Sequence, residues 1–274
     1  MRRNYSITSR RKTNFLPNFS LTNWLIGANV FLFLVSLFLL SIFGEEFFIN
    51  YLALVPSLVV SGVAVWTVLT SIFMHGGLFH LFANMFSLFF IGNFLEKIIG
   101  RKRFFWSYLV AGLVGGGFYI LASFIFGGMN VPAVGASGAI FGILGVLAVL
   151  VPYSRIYLIL GPLVVIVLNV LLSSFLPASI MNPLSIILNI LLILMIFAMF
   201  SFNSPLRKFA LPVEMPMWVL PFVAIIPLSI IGFFVPLPIG NSAHFGGLVV
   251  GVIYGFYLRK KFPRKIARLR RVFH

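Results

Sequence analysis

Apolar residues run along this chain in stretches long enough to cross a lipid bilayer, separated by short polar or basic segments. A helix needs about 20 residues to cross the hydrocarbon layer. On that measure the pattern predicts eight spans: Asn23–Phe43, Leu78–Leu95, Phe104–Phe126, Ser137–Val151, Ile156–Phe175, Pro183–Phe202, Pro216–Phe234 and His244–Leu258. Phe47–Met74 is also largely apolar, but Pro56 and Gly62 interrupt it. It predicts short helices lying partly within the outer leaflet. No internal repeat and no low-complexity tract is visible. The chain reads as one membrane domain over 23–258, with a basic N-terminal segment at 1–22 and a basic tail at 259–274.

Composition excludes the soluble alternatives. Hydrophobic residues make up 61% and charged residues 9%, against roughly 45–50% and 25% in a soluble domain. Such a chain cannot cover itself with polar surface, and it is too apolar to be disordered. Zero Cys excludes a disulfide framework and a thiolate metal site. The net charge of +16 resembles a nucleic-acid signature until its placement is considered. Arg2, Arg3, Arg10, Arg11 and Lys12 precede the first span. Lys97, Arg101, Lys102 and Arg103 follow the second, and Arg155 the fourth. Arg207 and Lys208 follow the sixth, and the basic residues from Arg259 to Arg271 follow the eighth. Every one of the 20 Lys+Arg therefore falls on one side, and Glu45 and Glu46 are the only charges on the other. The positive-inside rule puts both termini in the cytoplasm. No nucleic-acid partner is needed, and the tail could also meet anionic lipid headgroups. The first span is too long for a signal-peptide core and reads as a retained helix.

A polar side chain inside a membrane helix marks function by default. His80 and Asn84 are four apart and share a face of the second span. Ser137 opens the fourth span and His244 the eighth, and His75 lies just before the second. These three spans run in the same direction, so their polar residues gather at the same outer end. The fourth and eighth spans are 15 residues each, about 22 Å against a core of roughly 30 Å. Ser137 and His244 then lie below the outer surface, at the floor of a water-filled cavity. Gly138 and Gly142 follow Ser137 at a spacing of four, and Gly247, Gly251 and Gly255 follow His244 likewise. Small residues at that spacing let two helix backbones approach closely. Facing rows would place Ser137 beside His244.

A Ser hydroxyl becomes a useful nucleophile when a neutral His accepts its proton. The chain has no Asp, and its four Glu lie elsewhere, so the expectation is a Ser-His dyad without an acid. Asn84, His80 and the Ser137 N–H are the available oxyanion donors. Two intramembrane Asp, and the His-Glu-x-x-His of a zinc protease, are both absent.

The motifs resemble those of the rhomboid intramembrane serine proteases. His75-Gly76-Gly77-Leu78-Phe79-His80-Leu81-Phe82-Ala83-Asn84 is similar to the family's His-x4-His-x3-Asn, and Gly135-Ala136-Ser137-Gly138 to its Gly-x-Ser-Gly. Ala243-His244 with Gly247 and Gly251 resembles the last span, and Glu96 with Gly100 the Glu-x-x-x-Gly closing the second. The resemblance implies an all-α, six-helix core with both termini inside. It implies Ser137 as nucleophile, His244 as general base, His80 and Asn84 as oxyanion donors, and His75 as a supporting residue. The implied partners are transmembrane protein substrates in a bilayer, cut in or beside their membrane helix, with no cofactor. Pro216–Phe234 resembles the helix that borders substrate access from lipid. The expected location is the plasma membrane, with the site opening to the non-cytoplasmic side. Oligomeric state is not readable.

The sequence departs from the family twice. Trp66 is followed by Thr67 where the family's embedded loop carries Arg, which questions how that loop is held. The interval between the Ser and His helices is long, and residues 156–202 read as an inserted helix pair. Six spans, with part of this interval re-entrant or peripheral, is the other reading of that count. Two rival functions remain at this stage: an inactive relative that binds membrane clients, and a transporter lined by the buried His and Asn.

Overall fold

The computed structural model describes residues 19–200, 208, 210–234 and 240–272. The basic residues from Arg2 to Lys12, Arg207, the expected sixth-span end at Phe202, and His274 lie outside them. Four helices among the described residues are long and apolar enough to cross a membrane: Leu21–Tyr51, Leu78–Ile99, Arg101–Phe126 and Ala178–Ala198. Their combined length and hydropathy make this an integral membrane protein. Ser137–Leu150 and Leu160–Phe175 are apolar but shorter.

Helix α1 (Leu21–Tyr51) overruns its expected end at Phe43 and bends at Gly44, which has φ 81° and ψ 177°. The broken stretch beyond it forms α2 (Pro56–Val60), α3 (Thr67–Thr70) and a 3-10 turn at Ser71–Phe73. Thr67, at the position where the resemblance leads one to expect an Arg, is fully buried and donates its hydroxyl to Ala64 O at 2.6 Å. Trp66 Nε1 donates to Tyr51 O at 3.0 Å, and Thr70 Oγ1 to Leu52 O at 2.9 Å. Local hydrogen bonds thus hold the loop without an Arg. The next membrane helix comprises α4 (Leu78–Ser87), a π-helical turn at Leu88–Gly92, and α5 (Asn93–Ile99). After it come α6 (Arg101–Phe126) and α7 (Ser137–Leu150).

The fold is not wholly helical. Strand β1 (Arg155–Ile159) pairs antiparallel with β2 (Pro212–Pro216), from Arg155 opposite Pro216 to Ile159 opposite Pro212. The expected spans from Ile156 and from Pro216 therefore start late, as α8 (Leu160–Phe175) and α10 (Leu220–Phe234). An apolar run such as Ile156–Ile159 reads alike as strand or buried helix, and its partner lies far along the chain. Between the strands, α8 and α9 (Ala178–Phe200) pack on each other, with Asn169 Nδ2 donating to Asn189 Oδ1 at 3.4 Å. Helix α9 starts before the expected Pro183, which lies inside it. Ile186, Ile187, Ile190, Ile193, Leu194 and Phe197 are exposed on α9, the composition of a lipid-facing surface. The ribbon brings both ends of this helix pair together, and Arg155 pairs with Glu214 across it at 3.6 Å.

The core centres on α7, which is almost entirely buried between α6 and α11 (Asn241–Lys261). Tyr108 and Phe104 of α6 and Ile143, Leu147 and Leu150 of α7 are fully enclosed. The basic tail is a docked helix, α12 (Pro263–Val272). It buries Ile266, and Lys265 Nζ donates to Ile98 O at 2.8 Å. Arg270 donates to Val149 O at 2.7 Å and Leu150 O at 3.1 Å, satisfying carbonyls that α7 leaves open at its C-terminus.

At this basic end, Glu96 closes the N-terminus of α1 from a distance. Its carboxylate accepts from Leu21 N at 2.9 Å, Thr22 N at 2.8 Å and Thr22 Oγ1 at 2.7 Å. Arg101 adds an ion pair at 3.5 Å. Removing it orphans two backbone N–H groups at a buried helix start. Glu96→Ala is expected to lower stability by about 3 kcal/mol, read as an earlier midpoint in SDS unfolding. An unchanged midpoint would show that the cap contributes nothing.

Candidate active site

Backbone pairing fixes the segment ahead of α7. Leu54 and Ala133 exchange N–H to O bonds at 2.9 and 2.8 Å, and Gly135 N donates to Ser71 O at 2.8 Å. Gly135 has φ 128°, where a side chain would be strained, and an added Cβ would lie 2.8 Å from His80 Nε2. Only Gly therefore lets the chain pass this close to the His80 ring before turning into α7. The same Cβ position is 3.7 Å from Asn84 Nδ2, so His80 and Asn84 flank the approach to Ser137.

Ser137 is the first residue of α7, and its N–H belongs to the turn in which a helix offers no acceptor. Its Oγ lies 2.7 Å from His244 Nε2, on the first turn of α11. The imidazole is buried and stacks on Phe141, with ring centroids 4.5 Å apart and planes at 20°. His244 Nδ1 has no hydrogen-bond partner among the described residues. A hydroxyl against one ring nitrogen, with no acid on the other, is a two-residue arrangement.

The glycine rows make this approach possible. A Cβ on Gly247 would overlap the Gly138 carbonyl, and one on Gly251 the Gly142 carbonyl. Gly142 itself lies against Ala111 of α6. Gly255 continues the row against Val149, where a Cβ would come within 2.8 Å. The two helices therefore meet backbone to backbone over their length, and the serine and histidine meet at the top of that contact.

Asn84 is 6% exposed, and its amide donates to His80 O at 3.1 Å, leaving a second N–H for another acceptor. His80 is half-buried, and His75 meets it edge-on at 5.2 Å. His75 is buried without a hydrogen bond on either ring nitrogen among the described residues, so it acts here as packing. Two contributors escaped the sequence reading. Phe141 follows Ser137 by one turn, and that spacing was the available signal. Gly115 of α6 presses on the Ala243 carbonyl beside His244, where a Cβ would come within 2.8 Å. Nothing in the sequence separates it from its neighbours Gly116 and Gly117.

A model of the rhomboid domain matches residues 63–190 and 189–261, well over half of the chain. The two segments meet inside α9. RHOMBOID-like protein 1 of Arabidopsis thaliana is 44% identical over 93 residues, covering 34% of this chain and 23% of that protein. Rhomboid protease GluP of Bacillus subtilis is 44% identical over 82 residues, covering 30% and 15%. Inactive RHOMBOID-like protein 8 of Arabidopsis thaliana is 38% identical over 81 residues, covering 30% and 22%. The chain thus spans less than a quarter of the length of each of these relatives. The domain match, taken with the fold around it, means that the chain belongs to the rhomboid family.

Proposed function

We propose that the protein is an intramembrane serine endopeptidase that cuts transmembrane proteins in or beside their membrane helix. The observation that carries this reading is the 2.7 Å approach of Ser137 Oγ to His244 Nε2. His244 takes the hydroxyl proton as Ser137 Oγ attacks the scissile carbonyl. The oxyanion then accepts hydrogen bonds from the Ser137 N–H, the Asn84 amide and His80. His244 returns its proton to the leaving amine, and an ester to Ser137 remains. Water attacks this ester, again with His244 as base, and releases the second product. Phe141 stacking holds the ring where an acid would otherwise orient it.

The basic residues support an orientation with both termini in the cytoplasm and the site opening to the opposite side of the plasma membrane. An eight-span count, with α8 and α9 as an inserted pair, follows from the same charge alternation. Helix α10 then borders the lateral access route for substrate. The test is paired. A fluorophosphonate should label Ser137 in folded protein, and a single-span reporter should be cut in membranes. The likeness to a relative described as inactive favours one second reading, a client-binding protein without activity. Absence of labelling at Ser137 would establish that second reading over the first.

Asn84→Ala is expected to slow reporter cleavage by roughly 10²–10³-fold, the order of one lost oxyanion donor. Labelling of Ser137 should persist. An unchanged rate would remove Asn84 from the oxyanion set.

A further inference from the structure

A second polar site lies at the basic end of the helix that carries His80 and Asn84. That helix takes a π-helical turn at Leu88–Gly92 and packs there on the start of α1, where a Cβ on Gly92 would come within 2.8 Å of Thr22. π-Bulges inside α-helices often accompany functional sites. Beside this contact lies a groove of about 390 Å³, lined by Asn23, Phe89, Phe90, Asn93, Phe94 and Lys97.

Its polar groups are arranged for an anion. Asn93 is locked: its Nδ2 donates to Phe89 O at 2.7 Å and to Asn23 Oδ1 at 3.3 Å. Its Oδ1 accepts from Ser20 Oγ at 2.6 Å. The bond to Oδ1 turns the Asn23 amide so that its own N–H groups have no acceptor among the described residues. Lys97 is exposed and has no carboxylate partner among the described residues. The adjacent Glu96 is turned away and engaged by Leu21, Thr22 and Arg101. The groove therefore holds one positive charge and spare amide donors, with no negative group on its wall.

Its depth in the membrane is marked by neighbours. Trp24, 68% exposed beside Asn23, meets Phe19 edge-on at 6.3 Å, and such aromatics gather at the headgroup level. Phe89 is eight residues from Lys97, about 12 Å along the helix axis and so deeper in the hydrocarbon. A charged and amide-lined mouth above an aromatic trough matches a phospholipid: phosphate above, acyl chain below. A zwitterionic headgroup balances its phosphate with its own amine, whereas an anionic one leaves a charge for Lys97.

We propose that this groove binds one anionic phospholipid of the leaflet at the basic end. Lys97 and the Asn23 amide hold its phosphate, and Phe89, Phe90 and Phe94 line one acyl chain. The experiment is native mass spectrometry of the detergent-solubilised full chain. It is titrated separately with dioleoylphosphatidylglycerol, dioleoylphosphatidylcholine and inorganic phosphate. The wild type is expected to retain one phosphatidylglycerol about fivefold more strongly than phosphatidylcholine, the order of one Lys near a lipid phosphate. Lys97→Gln should erase the preference while keeping the SDS unfolding midpoint, and Lys102→Gln should leave it intact. Phe90→Ala should weaken retention of both lipids. Equal retention of the two lipids by the wild type would overturn the proposal, as would a preference that survives Lys97→Gln. Displacement of the lipid by inorganic phosphate would overturn it too, in favour of a free-anion site.

Discussion

Ser137→Ala is expected to abolish cleavage of a membrane-helix reporter, a loss on the order of 10⁴–10⁶-fold. The hydroxyl is the atom that forms the bond to substrate, and water held in its place would lack the orientation that α7 imposes. The fold should be indifferent. Among the described residues Ser137 has one side-chain bond, to His244, and Ala is at least as good a helix residue. The SDS unfolding midpoint should therefore stay within about 1 kcal/mol of wild type. His244→Ala should cost a similar factor. The double variant should be no worse than either single one, because two groups that act as a unit are not additive. Full cleavage by Ser137→Ala would remove the dyad mechanism whatever else held.

Much of this site was legible because membrane chemistry makes polar residues rare. Ser137, His244, His80 and Asn84 stand out against apolar spans, and the direction of each span brought them to one end. The glycine rows could be read for the same reason. At a spacing of four they mark a contact face, and Gly247 and Gly251 do lie on the Gly138 and Gly142 carbonyls. Phe141 was harder to read, because its one-turn spacing from Ser137 is a weak signal and an aromatic on an apolar helix otherwise reads as core. Its role arises only when the imidazole is placed over it.

The late starts of α8 and α10 have one physical source. Span ends were set where hydropathy falls, but helix ends are set by backbone partners. Ile156–Ile159 is as apolar as the helix after it, yet it is paired in a ribbon with Pro212–Met215. Hydropathy cannot report a partner that distant. Nor could it report that the tail from Pro263 docks, because Ile266 and Leu269 are sparse among many cations. Their positions three apart place them on one face, with Arg270 beside them to reach α7.

Gly247→Ala is expected to damage both stability and cleavage although it adds one methyl group. In a free helix the change should help by about 1 kcal/mol. Here the new carbon would fall on the Gly138 carbonyl, a backbone atom in the middle of the core that cannot rotate away. Helix α11 must then back off from α7. Overpacking of this kind costs about 1–3 kcal/mol in ordinary cores, and the absence of a side chain to yield puts this site at the upper end. His244 precedes Gly247 by less than one turn, so its ring moves with the backbone. A shift near 1 Å between nucleophile and base costs on the order of 10² in rate. Gly27→Ala in α1 is the matched control. Nothing lies within 4 Å of its added carbon, so stability should hold or rise slightly and cleavage should be unchanged. Wild-type stability and cleavage in Gly247→Ala would mean that α7 and α11 do not meet backbone to backbone. The placement of Ser137 beside His244 would then lose the contact that supports it.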